Sequence, residues 1–309
     1  MELVSFIMST YNEPLEWVQK SLSSIMNQTY SNIEVVVVVD NPGNTPVITY
    51  LDEQSSLHTN VIVLKNKENI GLVKSLNHAL DYCKGRYIAR MDADDISMNT
   101  RIERELDYLN KSDLDIVGSG FCDYTDETGE DSPRYNPKSS SACKSVLKYR
   151  NCTLHPSWVM KREVYEELNG YREIKACEDY DLLTRAILKK YKIGNIPEAL
   201  VLYRNNPNSI SHINLGEQKA IMEFLGKAYR SGRIRTIDEY ALYLKSEQLK
   251  NDAKKLIEYF EMEERLDTLN WYKKVFKTVI CIANSPVYRR EKIRNQYIKT
   301  LLIMDRIMG

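Results

Sequence analysis

Tyr87-Ile88-Ala89-Arg90-Met91-Asp92-Ala93-Asp94-Asp95 runs from a short apolar stretch straight into three carboxylates within four residues. The apolar residues read as the end of a buried strand, with the aspartates at its carboxyl end. Like charges this close repel and raise each other's pKa, so a cation is expected beside them. A hard divalent ion held through oxygen ligands fits, and such ions are commonly shared with phosphates. A solvated acidic turn leading into the next helix fits the residues as well, because aspartate is an ordinary turn and N-cap residue. Asp95 is the candidate cap. The ends of the other strands bear on the choice.

Leu3 to Met8 reads as a first buried strand and runs into Ser9-Thr10-Tyr11-Asn12-Glu13-Pro14. Pro14 suits the first turn of a helix, and Leu15, Val18, Leu22 and Ile25 give that helix an apolar face. Ile33 to Val39 is nearly uninterrupted valine, the pattern of a strand covered on both faces of a parallel sheet. It stops at Asp40-Asn41-Pro42-Gly43. A third strand, Val61 to Leu64, leads through Asn69-Ile70-Gly71 into a helix marked by Leu72, Leu76 and Leu80, which carries Lys74, Asn77 and His78. After the aspartates come a helix over about 99–110 and a fifth strand, Leu114 to Gly118. This alternation predicts a doubly wound α/β sheet. Ligands bind such sheets beyond the carboxyl ends of the strands. Thr10 and Tyr11, Asp40, Asn69, and Asp92 with Asp94 all stand at that edge.

Farther on, residues 123–141 read as a long polar loop. Leu154-His155-Pro156-Ser157-Trp158 begins a short strand that runs into a helix. Cys177-Glu178-Asp179-Tyr180-Asp181 opens an amphipathic helix, and Ala199 to Tyr203 forms a late strand. From Leu215 the pattern is helical throughout, which places a boundary near 214, between a sheet domain (1–214) and a helical extension (215–309). Residues 271–309 carry nine Lys/Arg against Glu291 and Asp305, a net +7. Trp271, Val275, Phe276, Val279, Ile280 and Ile282 supply an apolar face there. Two readings stand: helices packed on the sheet domain with a solvated basic face, or adhesion to an anionic membrane surface.

Composition narrows the class. The 309 residues hold 43 basic and 43 acidic side chains, so no global nucleic-acid signature exists. Six cysteines without CxxC spacing read as free thiols, neither a disulfide framework nor a zinc site. No signal peptide or apolar stretch of membrane-spanning length is expected. A cytoplasmic protein, soluble or peripheral at the inner membrane face, is the expectation. A nicotinamide dehydrogenase would need Gly-x-Gly-x-x-Gly after the first strand, where Ser-Thr-Tyr-Asn-Glu stands instead. A phosphate-binding Gly-Lys-Ser/Thr loop is also absent.

Ser9-Thr10-Tyr11-Asn12-Glu13, Asp40, Asn69-Ile70-Gly71-Leu72, Asp92-Ala93-Asp94-Asp95 and Glu178-Asp179-Tyr180-Asp181-Leu182, in this order, resemble the family 2 glycosyltransferases of GT-A fold. With His155-Pro156-Ser157 and Tyr203-Arg204, the set is similar to bacterial amylovoran-type galactosyltransferases of exopolysaccharide synthesis. The resemblance covers about residues 1–212. It implies a Rossmann-like, mostly parallel nucleotide-binding sheet, a UDP-sugar donor (UDP-galactose first), Mn²⁺ or Mg²⁺, and inversion at the anomeric carbon. The implied acceptor is a growing, lipid-linked glycan of capsule, exopolysaccharide or O-antigen. Thr10, Tyr11 and Glu13 would line the nucleoside pocket. Asp40 would bond the uracil, Lys74 would lie by base or phosphate unless it is only a solvated helix residue, Asn69 and Gly71 would join the nucleotide-sugar site or form only a turn, and Asp92 would face ribose or metal. Asp94 would ligate the metal, joined by His212, and Asp179 would be the catalytic base. His155, Glu178 and Arg101 would contact acceptor or support these groups. Arg90 and Arg101 either offset the aspartates or touch phosphate.

The chemistry is consistent with these residue types. A metal on the diphosphate stabilises the leaving charge, and carboxylates suit Mg²⁺ or Mn²⁺ where zinc would want His and Cys. The attacking hydroxyl needs a base within hydrogen-bond reach. Glu178 and Asp179 at a helix start could equally serve only the helix dipole. A non-catalytic nucleotide-sugar-binding or scaffold subunit is the alternative from another class.

Overall fold

The computed structural model describes residues 1–206 and 215–308; the expected boundary at 214 and His212 lie outside the described residues. The first half alternates as expected: β1 (Val4–Thr10), α1 (Leu15–Met26), β2 (Ile33–Val39), α2 (Thr45–Leu57), β3 (Val61–Lys65), α3 (Leu72–Leu80) and β4 (Tyr87–Arg90). β5 (Ile96–Ser97), α4 (Arg101–Lys111), β6 (Ile116–Thr125), β7 (Gly129–Glu130) and α5 (Ser140–Val146) follow. A 3₁₀ turn at His155–Ser157 leads to β8 (Val159–Lys161), α6 (Arg162–Leu168), α7 (Glu178–Leu188) and β9 (Ile193–Arg204).

The sheet runs β3-β2-β1-β4-β8-β6-β9-β5, with β7 paired to β6. β1, β2, β3 and β4 are mutually parallel, and Thr10 lies level with Val39 and Val39 level with Lys65. Ile7 pairs with Arg90, so Asp92 emerges beside Ser9. Strand register alone therefore brings Thr10, Asp40, Asn66 and Asp92 to one edge. The valines of β2 explain why it is buried throughout. Val35, Val37 and Val39 pack with Val18, Leu22, Leu51 and Ile102 on one face. Val36 and Val38 pack with Leu76 and Ala79 on the other. Side chains of a strand alternate between faces, and here both faces carry helices.

Beyond β4 the sheet departs from the sequence expectation. The fifth strand does not continue the parallel row; β8 pairs antiparallel with both β4 and β6 and lies between them. The fifth strand, expected over Leu114 to Gly118, is β6 and is also longer than expected, and the late strand begins at Ile193, before Ala199. The polar 123–141 stretch contains the β6–β7 hairpin. Helix α4 starts at Arg101 without a side-chain cap. Asp95 is not its cap: its Oδ1 accepts the Arg204 backbone N–H at 2.8 Å.

The helical extension comprises α8 (Leu215–Arg230), α9 (Ile237–Leu244), α10 (Glu247–Asp267), α11 (Trp271–Asn284) and α12 (Pro286–Met308). Ala220, Ile221, Leu225, Tyr243, Leu256 and Ile298 join the same apolar cluster as Trp158, Leu182 and Ala186. Gly226 permits the close approach of α8 to α7: a Cβ there would stand 2.8 Å from the Tyr180 hydroxyl oxygen. Near the end of α12, Asp305 accepts the backbone N–H groups of Lys138 at 2.5 Å and Ser139 at 3.2 Å, just ahead of α5. The helix α11 is the exception, with none of its residues buried.

Candidate active site

At the parallel end of the sheet edge, loops are fixed by the carboxylates of Glu13 and Asp40. Glu13 accepts from the Thr10 hydroxyl at 2.8 Å and the Tyr11 backbone N–H at 2.6 Å, which folds the β1–α1 loop back on itself. Asp40 is buried, and its Oδ1 accepts from Asn66 Nδ2 at 2.7 Å and Ile70 N at 2.9 Å. Its Oδ2 accepts from Gly71 N at 2.8 Å. A carboxylate has about four acceptor directions, so Asp40 spends most of them shaping the 66–71 turn. Gly71 stands at φ +89°, ψ 160°, a region essentially reserved for glycine. Asn69 Oδ1 also accepts from Gly71 N, at 3.0 Å. Tyr11 and Asn69 are exposed at this rim. Lys74 is exposed as well, 3.5 Å from the carboxylate of Glu173.

At the end of β4, oxygens of Asp92, Asp94 and Asp95 lie within 4.8 Å of one another. Asp92 and Asp94 are half-buried and Asp95 is buried. Burial, then the charges of Asp92 and Glu13, push the Asp94 pKa up to about 7. Asp95 is raised strongly by burial and by both neighbours, and its Oδ2 is buried without a partner. An all-oxygen donor set short of positive charge fits a hard divalent cation, with Asp92 and Asp94 on the less buried side. Arg204 braces the cluster from behind. Its Nε donates to Asp94 O at 2.7 Å and its Nη1 to Asp126 at 2.6 Å, and it lies between the rings of Trp17 and Tyr124.

Arg90 and Arg101 part ways here. Arg90 is buried and ion-paired with Asp92. Burial opposes its charge, but Asp92, Tyr171 and Asp95 together outweigh that and hold its pKa raised. Arg101 is fully buried, pairs with Glu105 at 3.0 Å, and donates to the carbonyls of Arg90 at 3.0 Å and Trp158 at 3.3 Å. It has no surface to offer a phosphate or an acceptor, so those two alternatives are corrected and the supporting one is left: Arg101 props up β4 from inside.

Glu178 and Asp179 open α7, within reach of the Arg90 charge. Asp179 is half-buried; its Oδ2 accepts from Asn151 Nδ2 at 2.5 Å and its Oδ1 from Tyr180 N at 2.6 Å. Burial pushes its pKa up to about 6 against the pull of those two donors. Glu178 is pushed higher, up to about 8, by burial and then by Asp179. Asp181 is turned away, ion-paired with Arg172 and Arg185. His155 Nε2 lies 2.8 Å from the Tyr171 hydroxyl, and burial, then Arg90, push its pKa well down. Its imidazole is therefore neutral and wedged against Trp158 at 4.6 Å between ring centroids.

Sequence reasoning missed Asn151, which sits in a loop with no motif, and the bracing role of Arg204. It also missed Lys219 on α8. The neighbour of Lys219, Gln218, donates to Ala176 O at 2.8 Å, just ahead of Asp179. Burial pushes the Lys219 pKa down, while Asp179 is among the groups that raise it. Only the placement of α8 against the 174–177 loop reveals it.

Residues 5–169 match the family model "Glycosyl transferase family 2". The chain is a family 2 glycosyltransferase. An uncharacterized glycosyltransferase of Methanocaldococcus jannaschii is 34% identical over 217 residues, 68% of this chain and 74% of that one. The O-antigen biosynthesis glycosyltransferase WbnJ of Escherichia coli is 30% identical over 74% of this chain and 91% of its own. The amylovoran biosynthesis glycosyltransferase AmsE of Erwinia amylovora is 27% identical over 68% and 79%. Among solved structures, the mannosyltransferase PcManGT of Pyrobaculum calidifontis, in complex with GDP-Man and Mn²⁺, superposes with TM-score 0.59 at 16% identity over 98% of this chain and 86% of that one. Residues 1–349 of S. aureus TarS with UDP-GlcNAc give 0.58 at 19% identity over 82% and 79%. The fold of this family 2 enzyme is therefore the GT-A fold, and the expected resemblance is borne out.

Proposed function

We propose that this glycosyltransferase moves a hexose from a UDP-sugar, UDP-galactose first, to a growing glycan of capsule, exopolysaccharide or O-antigen, with inversion and with Mn²⁺ or Mg²⁺. The acceptor is carried on a lipid in this reading, and the enzyme works at the inner face of the membrane, with residues 215–309 as an extension of the 1–214 catalytic part. One observation supports this mechanism: the buried Arg90, ion-paired with Asp92 of the aspartate cluster, also acts by its charge on the half-buried carboxylate of Asp179. Thr10, Tyr11, Glu13, Asn69, Gly71 and Lys74 border the nucleotide end, and Asp40 shapes it.

Asp92 and Asp94 would hold the metal, which supplies Lewis acidity to the departing diphosphate; His212 remains its proposed further ligand. Asp179 takes the proton from the acceptor hydroxyl as its oxygen bonds to the anomeric carbon. The bond from that carbon to the diphosphate oxygen breaks, and UDP leaves on the opposite face. Glu178 beside it holds its own proton more tightly than Asp179 does, which leaves Asp179 as the more readily ionised of the pair. His155, neutral, packs the wall below.

Asp179→Asn tests the assignment, because it keeps the shape and removes the base. Transfer should fall about a thousandfold, while UDP-sugar binding, followed as thermal stabilisation, is retained. Persistence of transfer in this variant would overturn the base assignment.

A further inference from the structure

The helix α11 is built with its apolar stripe on the outside. Tyr272, Val275, Phe276, Val279 and Ile280 recur at the three- and four-residue spacing of one helix face. All are exposed, Phe276 at 68% and Val279 at 59%. Trp271, at the start of the helix, is 78% exposed. The partly covered side carries Lys274, Thr278, Cys281 and Ile282, with Cys281 and Ile282 packed on the small cluster of Tyr259, Leu266 and Tyr288. A helix that belonged only to this fold would turn its stripe to the core. Exposed apolar patches of this kind mark a surface that something else covers.

Charge says what covers it. Lys273 and Lys277 flank the stripe, and neither has an ion pair among the described residues. From Thr268 to Arg290 the chain has five Lys/Arg and no carboxylate. A second copy placed on the same face would set lysine against lysine. A lipid surface with anionic headgroups accepts both the stripe and its lysine border, and Trp and Tyr suit the boundary between water and acyl chains. None of the described helices is long and apolar enough to cross a membrane, so the contact lies in the plane of the surface.

We propose that α11 is the membrane-docking element of this enzyme, lying on an anionic lipid surface with Phe276 and Val279 at its centre. It deepens the inner-membrane placement argued above, but it needs neither donor nor acceptor to be tested.

The full chain is sedimented with phosphatidylcholine vesicles, with and without phosphatidylglycerol. Binding is expected on the anionic vesicles and should weaken with salt. Phe276→Ser with Val279→Ser should lower partitioning about tenfold or more. Lys273→Gln with Lys277→Gln should lower it about tenfold on anionic vesicles only. Thermal unfolding and UDP-sugar binding should match the parent in both variants, because these side chains face outward. Wild-type partitioning that is no greater on anionic vesicles overturns the proposal. So does a stable dimer in light scattering that Phe276→Ser dissolves, since a second copy would then cover the face. If transfer activity is never found but vesicle binding follows this pattern, the transferase details fail and the docking stands.

Discussion

The two ends of the cleft hold their carboxylates by opposite means. At the nucleotide end, Asp40 and Glu13 accept from groups of the loops they tie down, most of them backbone N–H groups. At the base end, burial outweighs the donors that Asp179 has, so Glu178 and Asp179 hold their protons more tightly. The first arrangement fixes the shape of loops; the second brings carboxyl pKa values toward neutral. Arg90 is buried and paired with Asp92, with its Nε and Nη1 left without partners.

The largest break in this contrast should come from the aspartate cluster, which belongs to both ends. Wild-type protein should gain about 2.7 kcal/mol of stability from a UDP-sugar with Mn²⁺ at a hundredfold excess over its dissociation constant. Asp94→Ala should abolish that metal-dependent shift in a melting experiment and cut transfer by about a hundredfold or more. An unchanged shift would move the metal away from Asp94.

Gly71→Ala probes the nucleotide end alone. A Cβ there meets nothing within 4 Å, so its cost is backbone strain of about 1–3 kcal/mol. The donor KM should rise while the pH profile of kcat stays put. A pH shift in this variant would mean that the two ends are not separate.

Asn151→Ala probes the base end alone and should have the smallest effect. In the parent, log kcat/KM should fall as pH drops through about 6, where Asp179 takes up its proton. Losing the Asn151 donor removes a contact that favours the charged form. The acid limb should therefore move to higher pH, by about one unit at most for one hydrogen bond, with donor affinity unchanged. An acid limb that does not move would uncouple Asn151 from the base.

Much of the nucleotide end was readable because its signals are local. A valine run cut by Asp40, or an apolar strand cut by Asp92-Ala93-Asp94, marks both the strand and the edge it faces. The base end was readable only as the Glu178-Asp179 pair, because its geometry comes from distant parts of the chain. β8 is three residues long, and nothing in Val159-Met160-Lys161 announces that it separates β4 from β6. Asn151 precedes Asp179 by a long stretch and carries no motif. Arg101 and Arg90 look alike in sequence, and only packing decides that one faces Glu105 and the other Asp92. In α11 the stripe itself was visible, but periodicity does not say which side of a helix the protein covers.

The clamp between Asp305 and the start of α5 sets a timetable for making this protein. Lys138 must wait for a partner 167 residues downstream. At about 5–20 residues per second, the ribosome takes roughly ten to thirty seconds to supply it. The nucleotide half has its strands and helices well before then, while the contacts that lock α5 remain open. A ribosome stalled in α12 would carry an enzyme with its motifs all present and its last latch undone.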